Sequence, residues 1–374
     1  MGITKLGQRR YRIEIDRGRT AGGKRERYYE TVTGTRKQAQ ARDRELRRLL
    51  DTGIDIEPSR LTVAEWLDQW LANYARPAVS ARTLASYGGT AAIFAASLGP
   101  VRLRDLRPEH IQATMASYLA GGRSNRTGRR HFVVFKSALR RAVRLGLLYR
   151  NPADAVEPPR PERKEMRTAD LETITRVLEE CRQDDLRRLI YFAVQTGLRA
   201  GELLGLTWSD IDWDHGQIRI RRSRNSFEAS GFAEPKARSR RSVAVSKGTL
   251  DVLREQRAAQ NQQRLALGGR WAHHDLVFPR REGSPEDVNN LAKRWGALRD
   301  RLGLTGLRFH DLRHTSATLA LEAGVHPKVV QERLGHTNIG ITLDTYSHVL
   351  PNMQREAAEA LDALLPRPRE RGAS

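Results

Sequence analysis

The sequence predicts a mainly helical protein with small β-sheets, an α+β chain built from three domains. Apolar residues recur at helical spacing through residues 61–150 and through much of 167–365. Short runs near the N-terminus and again around residues 216–245 alternate apolar and polar side chains, which is typical of strands. A proline-rich stretch separates the second and third parts. At 374 residues the chain is long enough for two or three domains with a sizeable core.

Charge and cysteine content narrow the class of protein. Lysine and arginine number 66 against 44 aspartate and glutamate, a net charge of +22. This excess indicates a polyanionic partner, and nucleic acid is the polyanion that fits best. A generally basic protein without such a partner is the alternative. The single cysteine, Cys181, excludes an internal disulfide and a cysteine-based metal site. No membrane-length apolar run and no apolar signal core are present, so we expect a cytoplasmic protein without a membrane partner.

Residues 1–55 are predicted to form a separate basic module. Positions 1–50 contain fifteen basic and six acidic residues. The stretches YRIEID and RERYYETVTG alternate as strands do, with GRTAGG turning between them, and Thr35 can cap a following helix that Gly53 closes. A small basic sheet backed by one helix can lay its strands into a DNA groove. A charged cap with no sequence preference is the alternative.

Residues 61–150 are predicted to form a bundle of four or five helices. The apolar residues of its first helix recur at helical spacing: Val63, Trp66, Leu67, Trp70 and Leu71. Its last helix, RTGRRHFVVFKSALRRAVRLGLL, combines an apolar stripe with many arginines. One face of that helix can therefore pack while the other meets phosphates.

The proline-rich stretch, residues 151–166, is interpreted as a linker, because proline at this density stiffens a connection and cannot continue a helix. Such a linker would let the domains on either side close around a duplex. Residues 167–350 are predicted to hold the larger domain. Its helices flank two strands, GQIRIRRS and RRSVAV.

The large domain offers side chains suited to phosphodiester chemistry. In-line displacement at phosphorus needs a nucleophile, positive donors for the non-bridging oxygens and an acid for the leaving oxygen. The sequence contains no HExxH motif and no carboxylate cluster with metal-ligand spacing, so we expect neither metal nor cofactor. Two arginines can supply the charge instead, because a guanidinium is always charged and binds two phosphate oxygens at once.

Two arginines stand out. Arg199 lies at the junction of two predicted helices, and Glu202, three residues later on the same helical face, can orient it. Arg313 lies three residues after His310 in HDLRHTSATLA, so these two side chains share a helix face. His314 shares that face too, and spacing does not choose between the two histidines. An ordinary structural role is the alternative for each of these residues.

Three further residues could complete an active site. Lys236 lies in the connection EPKARSRRSVAV between the predicted strands, where a flexible ammonium could protonate a leaving 5′-oxygen. His336 ends a predicted helix, PKVVQERLGH, and Tyr346 follows ten residues later as the only tyrosine after Tyr191. Because a free phenol has a pKa of about 10, it needs cationic neighbours to attack at neutral pH. The arginines and histidines would supply them.

Four stretches together resemble the motif set of the tyrosine recombinases, or phage-type integrases. In order they are GLRAGELLGLTW, PKARSRRSVAV, HDLRHTSATLALEAG and LGHTNIGITLDTYSHV. The resemblance spans about residues 167–350 and implies that these residues form the family's catalytic domain. Residues 61–150 resemble the helical, SAM-like core-binding domain of the family. Residues 1–55 resemble its arm-type DNA-binding domain, which is the least specific match.

The resemblance implies a role for each upstream candidate. Arg199 and Arg313 correspond to the phosphate clamp of the family. Glu202 matches the acidic position that supports the first arginine. Lys236 corresponds to the general acid at the 5′-oxygen.

The resemblance also assigns the histidines and the tyrosine. It favours His310 over His314 as the residue that assists proton transfer and phosphate binding. His336 corresponds to a hydrogen-bond donor to the phosphate. Tyr346 corresponds to the nucleophile.

The implied activity is site-specific recombination of double-stranded DNA. A 3′-phosphotyrosyl intermediate and a Holliday junction would form on a homotetramer bound at attachment sites, without ATP or metal. Accessory directionality and DNA-bending proteins are further implied partners, and the expected location is the nucleoid of a bacterial host. The arm-like module favours an integrase of a phage or other mobile element over a resolvase of chromosome dimers.

Residues 351–374 are predicted to form a C-terminal helix and tail. The apolar residues of this segment lie at near-helical spacing: Met353, Ala357, Leu361 and Leu364. We expect the helix to pack onto a neighbouring protomer, and packing onto its own domain is the alternative.

Two other functions remain in competition. A type IB topoisomerase would share the phosphotyrosyl chemistry. A non-catalytic DNA-binding regulator could use HPKVVQERLGHTNIGITLDTYSHV as a helix-turn-helix. The intact set of six candidate catalytic side chains argues against the regulator, which has no need of them.

Overall fold

A computed structural model gives the fold of the chain. It describes residues 2–19, 25–51, 60–162, 167–182, 184–228, 230–233, 241–346, 358–359 and 361–365. The chain divides into two compact units, Met1–Arg163 and Lys164–Ser374. Helices dominate the described part and the sheets are small, so the α+β prediction is confirmed. None of the helices in the described ranges is both long and apolar enough to cross a membrane.

The first unit begins with an antiparallel sheet backed by a helix. Its elements are β1 (Ile3–Gly7), β2 (Arg10–Arg19), β3 (Arg25–Thr33) and α1 (Arg36–Asp51), and the strand order is β1-β2-β3. Ile13 and Ile15 of β2 pack against Leu46 of α1 to form a small core. Thr35 caps α1 as the sequence predicts, since its hydroxyl accepts from the Gln38 N–H at 3.3 Å. The proposed closing residue, Gly53, lies outside the described residues.

A helical bundle completes the first unit. Its helices are α2 (Val63–Trp70), extended by a π-helical turn at Leu71–Ala75, α3 (Ala81–Leu98), α4 (Pro108–Ala120) and α5 (Asn125–Arg144). The rings of Phe94 and Phe135 stack in its core with centroids 3.8 Å apart. The indole N–H of Trp66 donates to the Ala138 carbonyl at 3.2 Å, which satisfies a buried donor.

The second unit is built from eight helices and five short strands within the described residues. The helices are α6 (Leu171–Glu180), α7 (Leu186–Thr196), α8 (Ala200–Gly205), α9 (Lys247–Leu267), α10 (Val288–Arg301), α11 (Asp311–Glu322), α12 (Pro327–Leu334) and α13 (Ile339–Tyr346). The strands are β4 (Ile211–Asp212), β5 (Gln217–Ile220), β6 (Ser223–Arg224), β7 (Phe232–Ala233) and β8 (Arg241–Ala244). The predicted strands GQIRIRRS and RRSVAV contain β5 and β8, which pair antiparallel from Gln217↔Ala244 to Ile220↔Arg241.

Helix α7 lies in the centre of this unit, packed against α9 and α11. Its apolar face buries Ile190, Phe192 and Ala193. The helix ends at Gly197, whose φ of +64° is left-handed backbone that favours glycine. A Cβ on Gly197 would lie 2.6 Å from Leu334 Cδ2, so only glycine permits this approach. The close approach brings the start of α8 beside the end of α12.

Candidate active site

The candidate residues that the structure describes in the second unit lie at or near helix ends. Arg199 caps the start of α8, and His310 immediately precedes α11, which carries Arg313. His336 follows the left-handed Gly335 at the end of α12. Tyr346 is the last residue of α13, but its side chain is outside the description, as is Lys236 altogether. The placement of those two groups in a site therefore stays a prediction.

Arg313 holds two helix ends together. Its side chain is buried, with the residue only 3% exposed. Its Nη1 donates to the Gly197 carbonyl at 2.7 Å and its Nη2 to the Leu334 carbonyl at 2.6 Å. These carbonyls end α7 and α12, where the backbone has no partner within its own helix and where positive charge is favourable. The guanidinium of Arg313 is therefore a fixed positive charge at the point where two helices end.

Arg199 and Glu202 form the pair that their spacing predicts. Arg199 Nη1 donates to Glu202 Oε1 at 2.9 Å, and the Arg199 backbone N–H donates to Oε2 at 2.9 Å. The carboxylate thus caps the first turn of α8 while it orients the guanidinium. The Arg199 side chain is 41% exposed, so it can still meet a ligand from solvent.

Arg241 is a third arginine of the cluster, and sequence reasoning missed it. Its Nη1 and Nη2 donate to the two carboxylate oxygens of Glu202 at 3.1 and 3.0 Å, and its Nε donates to the Arg333 carbonyl at 2.7 Å. Strand alternation could have found it, since Arg241 lies two residues before the buried Val243 on the same face of β8. A Cβ on Gly335 would lie 2.9 Å from Arg241 Nη1, so glycine at that position makes room for the guanidinium.

Glu202 stays ionised although it is buried, with 4% of the residue exposed. Burial by itself would raise the pKa of this carboxyl. The hydrogen bonds and charge of Arg241, together with Arg199, outweigh burial and hold the pKa below its usual range. Two guanidinium groups bind this one carboxylate, and the guanidinium of Arg313 is held by backbone carbonyls instead. The cluster therefore carries excess positive charge and suits an anion.

His310 and His314 lie edge to face with their ring centroids 5.3 Å apart. Burial, then the charge of Arg313, lowers the pKa of His310. Burial, then His310, lowers the pKa of His314 to about 4. The neighbouring Asp311 is held by Arg308, whose Nη2 donates to it at 2.7 Å. His310 is the more exposed of the two histidines, which makes it the more accessible to a ligand.

His336 lies among the three arginines. Burial lowers its pKa to about 4, and the charges of Arg313, Arg199 and Arg241 act in the same direction. The ring is therefore neutral at pH 7. Its Nδ1 lies 2.8 Å from the hydroxyl of Thr342 in α13. The arrangement as a whole offers fixed positive charge beside neutral imidazoles that can exchange protons.

Comparisons with known proteins identify the family of this chain. A family model described as the phage integrase family matches residues 164–353. The "Tyrosine recombinase XerC-like" protein of Caldanaerobacter subterraneus subsp. tengcongensis is 30% identical over 96% of this chain and 97% of that protein. The ICEBs1 integrase of Bacillus subtilis is 32% identical over 60% of this chain and 62% of that protein.

A solved structure shares the fold. The Tn1549 transposon integrase in complex with a circular intermediate DNA aligns with a TM-score of 0.68 and 20% identity, over 80% of this chain and 99% of that chain. The family resemblance drawn from the four motifs is confirmed by the family model and the XerC-like relative. This chain belongs to the phage integrase family, and it is a tyrosine-type site-specific recombinase.

Proposed function

We propose that this recombinase is an integrase of a phage or another mobile element, which joins DNA through a 3′-phosphotyrosyl intermediate. The convergence of Arg199, Arg241 and Arg313 around His336 carries the proposal. His336 of this cluster lies ten residues before Tyr346, the only tyrosine after Tyr191 in the sequence. A phosphodiester carries a single negative charge. A positively charged cluster in which the Arg199 side chain is exposed would bind it and stabilise the negative charge of the transition state.

In the proposed clamp, Arg199 and Arg313 bind the non-bridging oxygens of the scissile phosphate. The side chain of Arg199 is exposed, which supports a direct contact with the phosphate. Its hydrogen bond to Glu202 fixes the direction of the guanidinium. Arg313 contributes a charge whose position is fixed by the two helix ends. Arginine suits both positions because its planar group matches two phosphate oxygens.

The proposed reaction balances without an added reagent. The phenolic oxygen of Tyr346 attacks phosphorus, and its proton passes to neutral His310. The bond from phosphorus to the 5′-oxygen breaks, and Lys236 gives that oxygen its proton. His336 donates a hydrogen bond to the phosphate. A 5′-hydroxyl of the partner duplex then attacks the phosphotyrosyl bond, which reverses each proton transfer and restores a phosphodiester.

We propose a homotetramer on DNA, because two duplexes contain four strands and each cut strand needs one tyrosine. Exchange of one strand pair gives a Holliday junction, and exchange of the second pair resolves it. Exposed apolar side chains near the C-terminus support the proposal that protomers contact one another there. Leu361, Leu364 and Leu365 are 58%, 78% and 64% exposed. Met353 and Ala357 of the same predicted helix lie outside the described residues.

The first unit would supply further DNA contacts. Helix α5 carries seven basic and no acidic residues in its sequence NRTGRRHFVVFKSALRRAVR. Its exposed arginines follow one stripe and include Arg126, Arg129, Arg130, Arg140 and Arg144. Such a stripe suits the phosphate backbone, whose contacts supply salt-dependent affinity without sequence readout. The basic N-terminal sheet would enter a groove and bind arm-type sites.

The arm-like module supports an integrase over a chromosome-dimer resolvase. In this proposal residues 1–55 bind arm-type sites, 61–150 bind core sites, 151–166 link the units and 167–350 catalyse. The C-terminal residues 351–374 join protomers. Accessory directionality and DNA-bending proteins would set the direction of the reaction. The protein would work at the nucleoid of a bacterial host.

The direct test of this function is to sequence DNA junctions in cells that express the protein beside its own element. We expect junctions that join the element to one chromosomal site. Purified protein should then recombine two plasmid-borne copies of the junction sequence. Relaxation of supercoiled plasmid without recombination would favour a type IB topoisomerase instead. Binding without either activity would favour a regulator.

A further inference from the structure

The hydroxyl of Thr342 joins two parts of the candidate site. Thr342 lies in α13, the helix that ends at Tyr346, and it is fully buried at 0% exposure. Its Oγ1 lies 2.8 Å from Nδ1 of His336, which follows α12. The contact therefore connects the imidazole among the arginines to the helix of the proposed nucleophile.

The direction of this hydrogen bond follows from the surroundings of the hydroxyl. Buried threonines in helices often donate to the carbonyl four residues earlier, as Thr114 does to His110 at 2.9 Å. For Thr342 the described residues provide no partner except His336. A buried hydroxyl proton without an acceptor costs about 1–3 kcal/mol. Thr342 therefore donates, and Nδ1 of His336 accepts.

A histidine that accepts at Nδ1 carries its one remaining proton at Nε2. The groups that face this ring favour its neutral form: Arg313, Arg199, Arg241 and His314. The lowered pKa of His336, about 4, agrees with a neutral ring at pH 7. A neutral imidazole of this tautomer offers a single N–H donor.

We propose that Thr342 is a positioning residue, whose hydroxyl fixes His336 with Nε2–H as the donor to the scissile phosphate and fastens the nucleophile's helix to the same ring. This inference rests on the proposed function. Thr342 lies four residues before Tyr346, so the backbones of the two residues are one helical turn apart in α13. A shift of α13 would break the hydrogen bond between Thr342 and His336 and would displace Tyr346 at the same time. The contact thus keeps the donor and the nucleophile in register.

The first test measures the tautomer without DNA. Full-length protein with ¹⁵N-labelled histidine rings is studied by NMR at pH 7, and the loss of one ring signal in His336→Asn assigns the ring. We expect a pyrrole-like Nε2 and a pyridine-like, hydrogen-bonded Nδ1. Thr342→Val should shift the Nδ1 resonance to its unbonded position, and Thr342→Ser should return it. A protonated Nδ1 in the unsubstituted protein would overturn the proposal.

The second test measures covalent adduct formation on a nicked duplex that carries the sequenced junction. We expect Thr342→Val to slow this step about tenfold with unchanged DNA affinity, since loss of a whole donor costs on the order of 10²–10³. Thr342→Ser should restore most of the rate. Thr342→Val that cleaves as fast as the unsubstituted protein would overturn the proposal.

Thr318→Val is the matched control. It removes a buried threonine hydroxyl that has no hydrogen-bond partner among the described residues, backbone or side chain. We expect it to change neither the His336 resonances nor the cleavage rate. If the unsubstituted protein forms no adduct at all, the proposed function fails while the tautomer measurement still decides the role of Thr342.

Discussion

At the residue scale, the candidate site depends on a carboxylate shared by two arginines. Glu202 was identified from its spacing to Arg199, but its second partner, Arg241, comes from a strand 39 residues away. The side chains of Arg241 and Glu202 are 9% and 5% exposed. Such a buried pair contributes little net stability, yet removal of one partner is costly because the remaining charge stays buried.

Arg241→Met should therefore destabilise the second unit. Glu202 would keep only Arg199, and the Arg333 carbonyl would lose its donor. We expect the free energy of unfolding to fall by about 3 kcal/mol, measured by urea denaturation. Arg219→Met on the neighbouring strand β5 is the control. Its ion pair with Asp212 is 49% exposed on the arginine side, so water screens it and its loss should change stability far less. Equal losses in the two variants would contradict the account.

The histidines predict how stability depends on pH. The folded pKa of His314 and of His336 is about 4, below the usual value of 6.5. Between these values the unfolded chain binds more protons than the folded chain, so stability is present near pH 7 and falls as pH drops from about 6.5 to about 4. We expect the urea midpoint to follow this fall.

The matched comparison is the double variant His314→Gln and His336→Gln. Its midpoint should fall less steeply over the same pH range, because two groups that bind protons on unfolding are gone. His273→Gln, at an exposed position, should keep the slope of the unsubstituted protein. A double variant that also keeps that slope would show that these rings are not buried in the neutral form.

At the element scale, the site is assembled from helix ends. The carbonyls that end α7 and α12 converge on Arg313, and the left-handed Gly197 and Gly335 end these two helices. Unpaired carbonyls at a helix end attract cations, so the same geometry that terminates the helices also positions the guanidinium. The position of the Arg313 guanidinium in the site therefore depends on where α7 and α12 end.

Gly197→Ala tests this construction. The alanine would have to adopt a left-handed φ, and its Cβ would lie 2.6 Å from Leu334. We expect a loss of about 1–3 kcal/mol in unfolding free energy. Gly296→Ala in α10 meets nothing within 4 Å and should instead stabilise by up to about 1 kcal/mol. A neutral Gly197→Ala would mean that the two helix ends do not approach as described.

Periodicity predicted the long elements and missed the short ones. The helical bundle and the pair β5–β8 follow from apolar spacing over many residues. Strand β1 was not predicted, because most of ITKLG is exposed and the sequence does not alternate between apolar and polar residues. It is a strand because it pairs with β2. The β6–β7 hairpin escaped for a similar reason, since two-residue strands carry no periodic signal.

At the scale of the whole molecule, the site unites residues far apart in sequence. Spacing alone predicted local pairs such as Arg199 with Glu202, because both lie within one helical turn. It could not bring Arg313 to Gly197, 116 residues away, since that contact depends on tertiary packing. The resemblance of four ordered motifs supplied this link. The positions of Lys236 and of the Tyr346 phenol stay predictions.

Deletion of residues 351–374 tests the proposed assembly. The exposed leucines at positions 361, 364 and 365 would lose their partner surface on a neighbouring protomer. We expect cooperative binding to paired sites to disappear in gel-shift titrations, while affinity for a single site changes little. Unchanged cooperativity would place this segment on its own domain instead.

The most direct test of the central claim is covalent trapping at Tyr346. Full-length protein and Tyr346→Phe are incubated with the nicked duplex that carries the sequenced junction, and adducts are separated under denaturing conditions. We expect the unsubstituted protein to form a 3′-linked adduct whose digestion maps to Tyr346. Tyr346→Phe should bind the duplex with similar affinity and form no adduct. An adduct that persists in Tyr346→Phe would contradict the assignment of the nucleophile.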